Sequence, residues 1–165
     1  MWTIRPNGDK TKYEKSTDGL LSNVQECNPS LQSSFLLFIR LYWGLQFMQI
    51  GWGKLHNISG VTHYFTQLGL PFPHLTVIFI ALLEFVGGIL LMLGLASRLI
   101  AFPLTIDMIV AYIVGDRKAL LSFFSDPGTF YVADPFTFLF VSLLVLIFGP
   151  GRFALDSLIA KQWAD

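Results

Sequence analysis

The sequence is poor in charge and nearly devoid of cysteine. Of its 165 residues, 13% are Asp, Glu, Lys or Arg, against about a quarter in ordinary soluble domains. Basic and acidic residues balance at 11 each, so no excess of positive charge draws the chain to nucleic acid. A single cysteine, Cys27, excludes an internal disulfide and a CxxC redox pair. His56, His63 and His74 are spaced too irregularly for a compact metal motif and have no cysteine beside them, so neither a metal site nor haem is expected. Residues 1–30 lack an apolar run and mix Arg5, Lys10, Lys12 and Lys15 with Asp9, Glu14, Asp18 and Glu26. No cleavable signal is read there, and the first apolar segment is expected to act as its own insertion signal. No internal repeat or low-complexity stretch is evident.

What the chain has is hydrophobic length. Apolar residues make up 53%, with 16 phenylalanines. Four apolar segments stand out, at about 31–53, 75–95, 97–115 and 135–148. At 1.5 Å per residue, about 20 residues cross a hydrocarbon layer of about 30 Å. The fourth segment is short, and is expected to tilt little or to begin earlier. Asn28-Pro29-Ser30 reads as a helix start, Pro71 and Pro73 punctuate the loop before the second segment, and Pro103 lies inside the third. Asp134-Pro135 reads as a helix N-cap followed by proline, and Gly149-Pro150-Gly151 stops the fourth helix. Residues 118–124 are expected at the membrane interface. Phe153, Leu155, Leu158, Ile159 and Trp163 approximate one face of a short amphipathic helix. The expected fold is all-α: an integral membrane bundle of four transmembrane helices (31–151), preceded by a polar tail (1–30) and followed by an interfacial segment (152–165).

Four spans put both termini on one side. That side holds Arg5, Lys10, Lys12, Lys15, Arg98, Arg152 and Lys161, and the other Lys54, Arg117 and Lys118. The bias predicts cytoplasmic termini in a cell inner membrane. Gly44 and Gly51 fall on one face of the first segment, and Gly87 and Gly94 on one face of the second. Small residues at such spacing let membrane helices approach closely, so the first two helices are expected to pack as a tight pair.

Arg40, Glu84 and Asp107 lie within apolar segments. A charge at the bilayer centre costs about 3 kcal/mol on insertion scales, so each needs a partner. Helical rise puts each about 13–16 Å from the side bearing the termini, so Arg40 is expected between the two carboxylates. Such a cluster either locks the helices in register or serves a polar ligand or a proton. A quinone site needs donors and flat apolar walls; Gln46 and Gln49 are candidate donors beside Arg40, and Trp43, Tyr42 and Phe47 candidate walls. Such aromatics more often pack against lipid or core than form a cofactor box. Lys54, next to Trp52, is expected to snorkel at the outer interface.

Several short patterns now resemble the DoxX family. Arg40-x-x-x-Gly44, Gly51-x-x-Lys54-Leu55 and Phe65-x-x-Leu68-Gly69-x-Pro71 look like its first half. Glu84-x-x-Gly87-Gly88, Leu93-Gly94-Leu95-x-x-Arg98 and Gly149-Pro150-Gly151-x-x-x-Leu155-Asp156 continue it, so the resemblance covers about 34–156. Ile50, where the family often has histidine, Asp107, where it is usually uncharged, and Ala154, where serine is common, depart from the pattern. The resemblance implies a four-helix membrane bundle, with Arg40, Lys54, Glu84 and Arg98 as its positions of interest. Some family members look like the membrane subunit of a thiosulfate:quinone oxidoreductase, and others are linked to superoxide and sulfur-compound detoxification.

The expected function is an accessory membrane subunit of a bacterial redox complex, not catalytic alone. Quinone is the candidate ligand, no cofactor is covalently bound, and lipid and other membrane subunits are the partners. Two alternatives stay open: a structural subunit of a respiratory or photosynthetic assembly, and a small solute or proton transporter. Four helices without inverted symmetry favour the transporter least.

Overall fold

A computed structural model describes residues 29–151 and 153–156, without the side chains of Pro29 and Ser30. Contacts divide the chain into residues 1–32 and 33–165. Of the first unit, only the opening turn of a helix at 29–32 is described. The expected polar tail and most of the expected amphipathic helix after Asp156 lie outside the described residues.

All regular structure among the described residues is helical. The elements are α1 (Pro29–His56), α2 (Ile58–Gln67), α3 (Pro73–Leu93), α4 (Ser97–Val114), α5 (Arg117–Leu121), α6 (Pro127–Val132) and α7 (Pro135–Phe148). The four long helices correspond to the four apolar segments. Helix α2, read from the sequence only as an outer loop, opens where the Asn57 side chain accepts a hydrogen bond from Gly60 N at 3.2 Å. Helix α3 ends at Gly94, in the left-handed conformation (φ 69°), where only glycine sits without strain. Helix α4 runs through Pro103 without a break.

Helices α3 and α4 are long and apolar enough to cross a membrane, with mean hydropathies of 2.5 and 1.7. Only 33% and 39% of those stretches are buried inside the protein. Phe79, Leu82, Val86, Phe102, Ile106, Ile109 and Ile113 point outward, as lipid-facing side chains do and the core helices of a soluble protein do not. Helix α7 is equally apolar but only 14 residues long. The core joins α1, α3, α4 and α7 through Phe47, Leu91, Ala101, Leu104, Met108 and Val145. At one end of the bundle Tyr112 donates to Phe130 O (2.9 Å) and stacks on the Phe130 ring, tying α6 to α4.

Helices α1 and α3 meet backbone to backbone. A Cβ added at Gly88 would lie 2.5 Å from Gly44 O and from Met48 N, and one at Gly44 2.9 Å from Gly88 O. One at Gly51 would collide with Phe85 N and stand 2.7 Å from Ala81 O. The α3 partner is thus Gly88, not the expected Gly87 or Gly94. Gly87 is turned toward Ile100 and Leu104 of α4, and Gly94 ends the helix. One residue is about 100° of helical turn, enough to move a glycine from one neighbour to the next.

Gly51→Leu is expected to force α1 and α3 apart and to lower stability by about 1–3 kcal/mol, read as a lower melting temperature in mild detergent. Gly53→Ala is the control: an added Cβ there meets nothing within 4 Å, so no loss is expected.

Candidate functional site

The register of α1 against α3 decides which charges meet. The helices run antiparallel, with Gly51 against Ala81 and Phe85, and Gly44 against Gly88. Glu84 therefore stands level with about residue 50 of α1, about 6 Å along the axis from Lys54 and about 15 Å from Arg40. Helical side chains also lean toward the N-terminus of their own helix. Lys54 and Glu84 consequently lean toward each other, whereas Arg40 leans away.

The structure follows that geometry and separates the expected cluster into two sites. Lys54 Nζ lies 2.6 Å from both carboxylate oxygens of Glu84, with its hydrogen bond directed to Oε1. Glu84 is 1% exposed. Lys54 is not the snorkelling residue the sequence suggests; it turns inward, since a buried Glu84 without a cation would cost several kcal/mol. Asp107, also buried, interacts electrostatically with Glu84 and Lys54. Its Oδ2 has no hydrogen-bond partner among the described residues.

These three groups face a cavity of about 360 Å³ between α1, α2, α3 and α4. Val61, Phe65, Leu68 and Ile80 form apolar walls, and Asp116 and Asp134 also line it. Asp134 was expected to cap α7, but its side chain makes no capping bond there. A second cavity of about 460 Å³ lies against α7, and Lys54, Glu84 and Asp134 line it as well. Gln46 lines this second cavity beside Phe47 and Phe138. Gln49 is exposed, and Trp43 packs edge-on against Tyr42, centroids 4.7 Å apart. Neither is among the residues lining the two cavities. Trp52 is exposed and packs on His56 and Phe85.

Arg40 belongs to the other end of the bundle. It is fully buried, and its Nη2 donates to Phe153 O at 2.9 Å. The space a Cβ at Gly94 would take is filled by Arg40 Nη1 and Ala154. Asp156, the acidic group that attracts Arg40, accepts hydrogen bonds from Ala96 N (2.8 Å) and Ser97 N (3.0 Å). Asp156 N donates to Gly94 O at 3.1 Å. The carboxylate thus satisfies two backbone donors at the start of α4 and complements its positive end. It also braces Ala96, which sits at φ 49°, a conformation alanine adopts at a cost of about 1–2 kcal/mol. Nearby, Arg98 Nη2 donates a long bond (3.4 Å) to Ile147 O near the C-terminus of α7, beside Gly149 at φ 80°. We call this arrangement the latch.

Sequence reasoning missed Asp156 and the cavity role of Asp134. The one signal for Asp156 is its place in the Gly149-Pro150-Gly151-x-x-x-Leu155-Asp156 pattern. Outside the spans, Asp126 accepts from the Thr129 hydroxyl at 2.7 Å, which holds its carboxyl below the usual range. Among the described residues no group of three or more His, Cys, Asp or Glu is placed to hold a metal ion.

Such a fold and site define an all-helical membrane protein with a buried ion pair, Lys54–Glu84, between two of its helices. The DoxX family model matches residues 35–117, and the chain belongs to the DoxX family. It is 27% identical over 134 residues to inner membrane protein YqjF of Escherichia coli, covering 81% of this chain and 98% of that protein. An uncharacterized membrane protein of Mycobacterium tuberculosis is 32% identical over 139 residues (77% of this chain, 82% of that protein). The Bacillus subtilis protein named "Putative oxidoreductase CatD" is 28% identical over 125 residues (76% and 87%). No solved structure matches the chain significantly.

Asp156→Ala removes the acceptor of two backbone N–H groups and the charge facing Arg40. It is expected to destabilise the protein by about 1–3 kcal/mol, seen as a lower melting temperature. Because both residues serve one network, Arg40→Leu combined with Asp156→Ala is expected to cost less than the two single changes added together.

Proposed function

We propose that this protein is an accessory membrane subunit of a bacterial redox system, and that its Lys54–Glu84–Asp107 cavity receives the polar head of a quinone-type carrier. The observation that carries this reading is the convergence, on an apolar-walled cavity, of a lysine, a buried glutamate and an aspartate oxygen that has no partner among the described residues. A volume of about 360 Å³ is within the range of small-molecule sites. An ammonium carries three donors, and Lys54 directs one hydrogen bond to Glu84 Oε1, leaving a donor for a ring oxygen. Phe65, Leu68 and Ile80 offer walls for the ring itself. The Bacillus relative's name supports a redox setting. A chain with one cysteine has no thiol pair to carry two electrons, so we assign the electron transfer to a partner subunit.

In this reading α1, α3, α4 and α7 are the four spans. The excess of Lys and Arg beside the termini then places both in the cytoplasm, with the latch on that side and the cavity nearer the outer side.

Two measurements test these points. Binding of a decyl-substituted benzoquinone to the full chain in lipid nanodiscs is expected to weaken at least about tenfold in Glu84→Gln, which loses a hydrogen bond between charged groups; equal and negligible binding by both proteins would refute the site. Cys27, the sole thiol, reports topology: a membrane-impermeant maleimide is expected to label inverted vesicles and not intact spheroplasts.

A further inference from the structure

The carboxyl group of Asp107 is not explained by helix packing. Lys54 makes its hydrogen bond to Glu84, so Asp107 lies beside an ion pair already formed and adds a second acidic group to it. Oδ2 is buried with no donor among the described residues, although the residue lines the cavity. A buried polar atom without a partner costs about 1–3 kcal/mol, and in an apolar cavity a ligand is one way to recover it. The groups facing the same space come from every side: Lys54 of α1, Tyr64 of α2, Glu84 of α3, and Asp116 and Asp134 from the turns after α4 and before α7. Lys54 is therefore the cation that faces Asp107 among the residues lining the cavity. A ring hydroxyl seated here can accept from Lys54 and donate to Asp107 at once. A ring carbonyl has no proton to give.

We propose that Asp107 is the proton-exchanging carboxyl of this cavity, taking a proton from a ring hydroxyl whose oxygen is held by Lys54. The proposal rests on the quinone-type reading above. In the step, the ring O–H bond breaks and its electron pair stays on the ring oxygen as a phenolate beside the Lys54 ammonium. The proton forms a new O–H bond with Asp107 Oδ2. Total charge in the cavity is unchanged, which suits a site surrounded by lipid, where creating net charge is costly. Asp116 and Asp134 line the same cavity and offer the proton its next acceptors. The aromatic hydroxyl form of the carrier is thus the form whose binding is coupled to Asp107.

The test compares decyl-benzohydroquinone, kept reduced, with decyl-benzoquinone on the full chain in nanodiscs. Wild type, Asp107→Asn and Asp107→Glu are measured across pH 5–9 (a range of about four units around neutrality). For wild type, hydroquinone affinity is expected to vary with pH, and its addition to produce a carboxylic C=O infrared band. Asp107→Asn is expected to bind hydroquinone at least about tenfold more weakly, with no pH dependence and no band; Asp107→Glu is expected to restore both. Binding of both rings with an unchanged band and pH profile in Asp107→Asn overturns this proposal alone. Failure of wild type to bind either ring overturns it together with the quinone-type reading. Unchanged melting temperatures in Asp107→Asn exclude loss of fold as the cause.

Discussion

Contact of bare backbone between α1 and α3 sets everything else in this protein. Gly44, Gly51 and Gly88 bring the backbones of two antiparallel helices into contact, and dispersion over such a seam is what holds helices together where water offers no drive. The contact also fixes the register. Once Gly51 lies against Ala81 and Gly44 against Gly88, Glu84 falls within reach of Lys54 and Arg40 falls opposite Gly94. Glu84 and Arg40 each then meet the group that the lean of helical side chains allows.

The two charged sites divide the work between the ends of the bundle. At one end, Arg40, Gly94 and Asp156 join α1, the α3–α4 turn and the segment after α7 through hydrogen bonds to backbone. Asp156 and Arg40 Nη2 are used there in holding the chain. At the other end, Lys54 and Glu84 hold α1 to α3 but leave Asp107 Oδ2 without a hydrogen-bond donor among the described residues, and the surrounding helices leave space instead of filling it. The latch and the cavity are therefore about 15 Å apart along the helices. A change at the latch alters packing without entering the cavity.

Much of the helical layout was legible from residues. The bounds of α4 and α7 follow from Ser97, Gly115, Pro135 and Gly149, because caps and breakers act locally. The α1 glycine face was also legible, since seven-residue spacing survives whatever the partner. Helix α2 was not, because its mixed composition resembles a loop. Pairing of charges went astray for a definable reason: depth along each helix was judged from the ends of apolar runs, which are uncertain by several residues, whereas the real register depends on which glycine meets which. Depths counted from those ends, with side-chain lean left out, put Arg40 level with Glu84.

Composition and periodicity by themselves determined that the chain is helical, that its helices belong in lipid, and that its buried charges must be compensated, because each of these follows from the free energy of moving a residue out of water. Tertiary structure alone decided which cation compensates which acid, that Asp156 caps the start of α4, and that Asp107 is left lining a cavity. Those outcomes turn on distances of a few ångströms between segments far apart in sequence, and a linear pattern carries no measure of them.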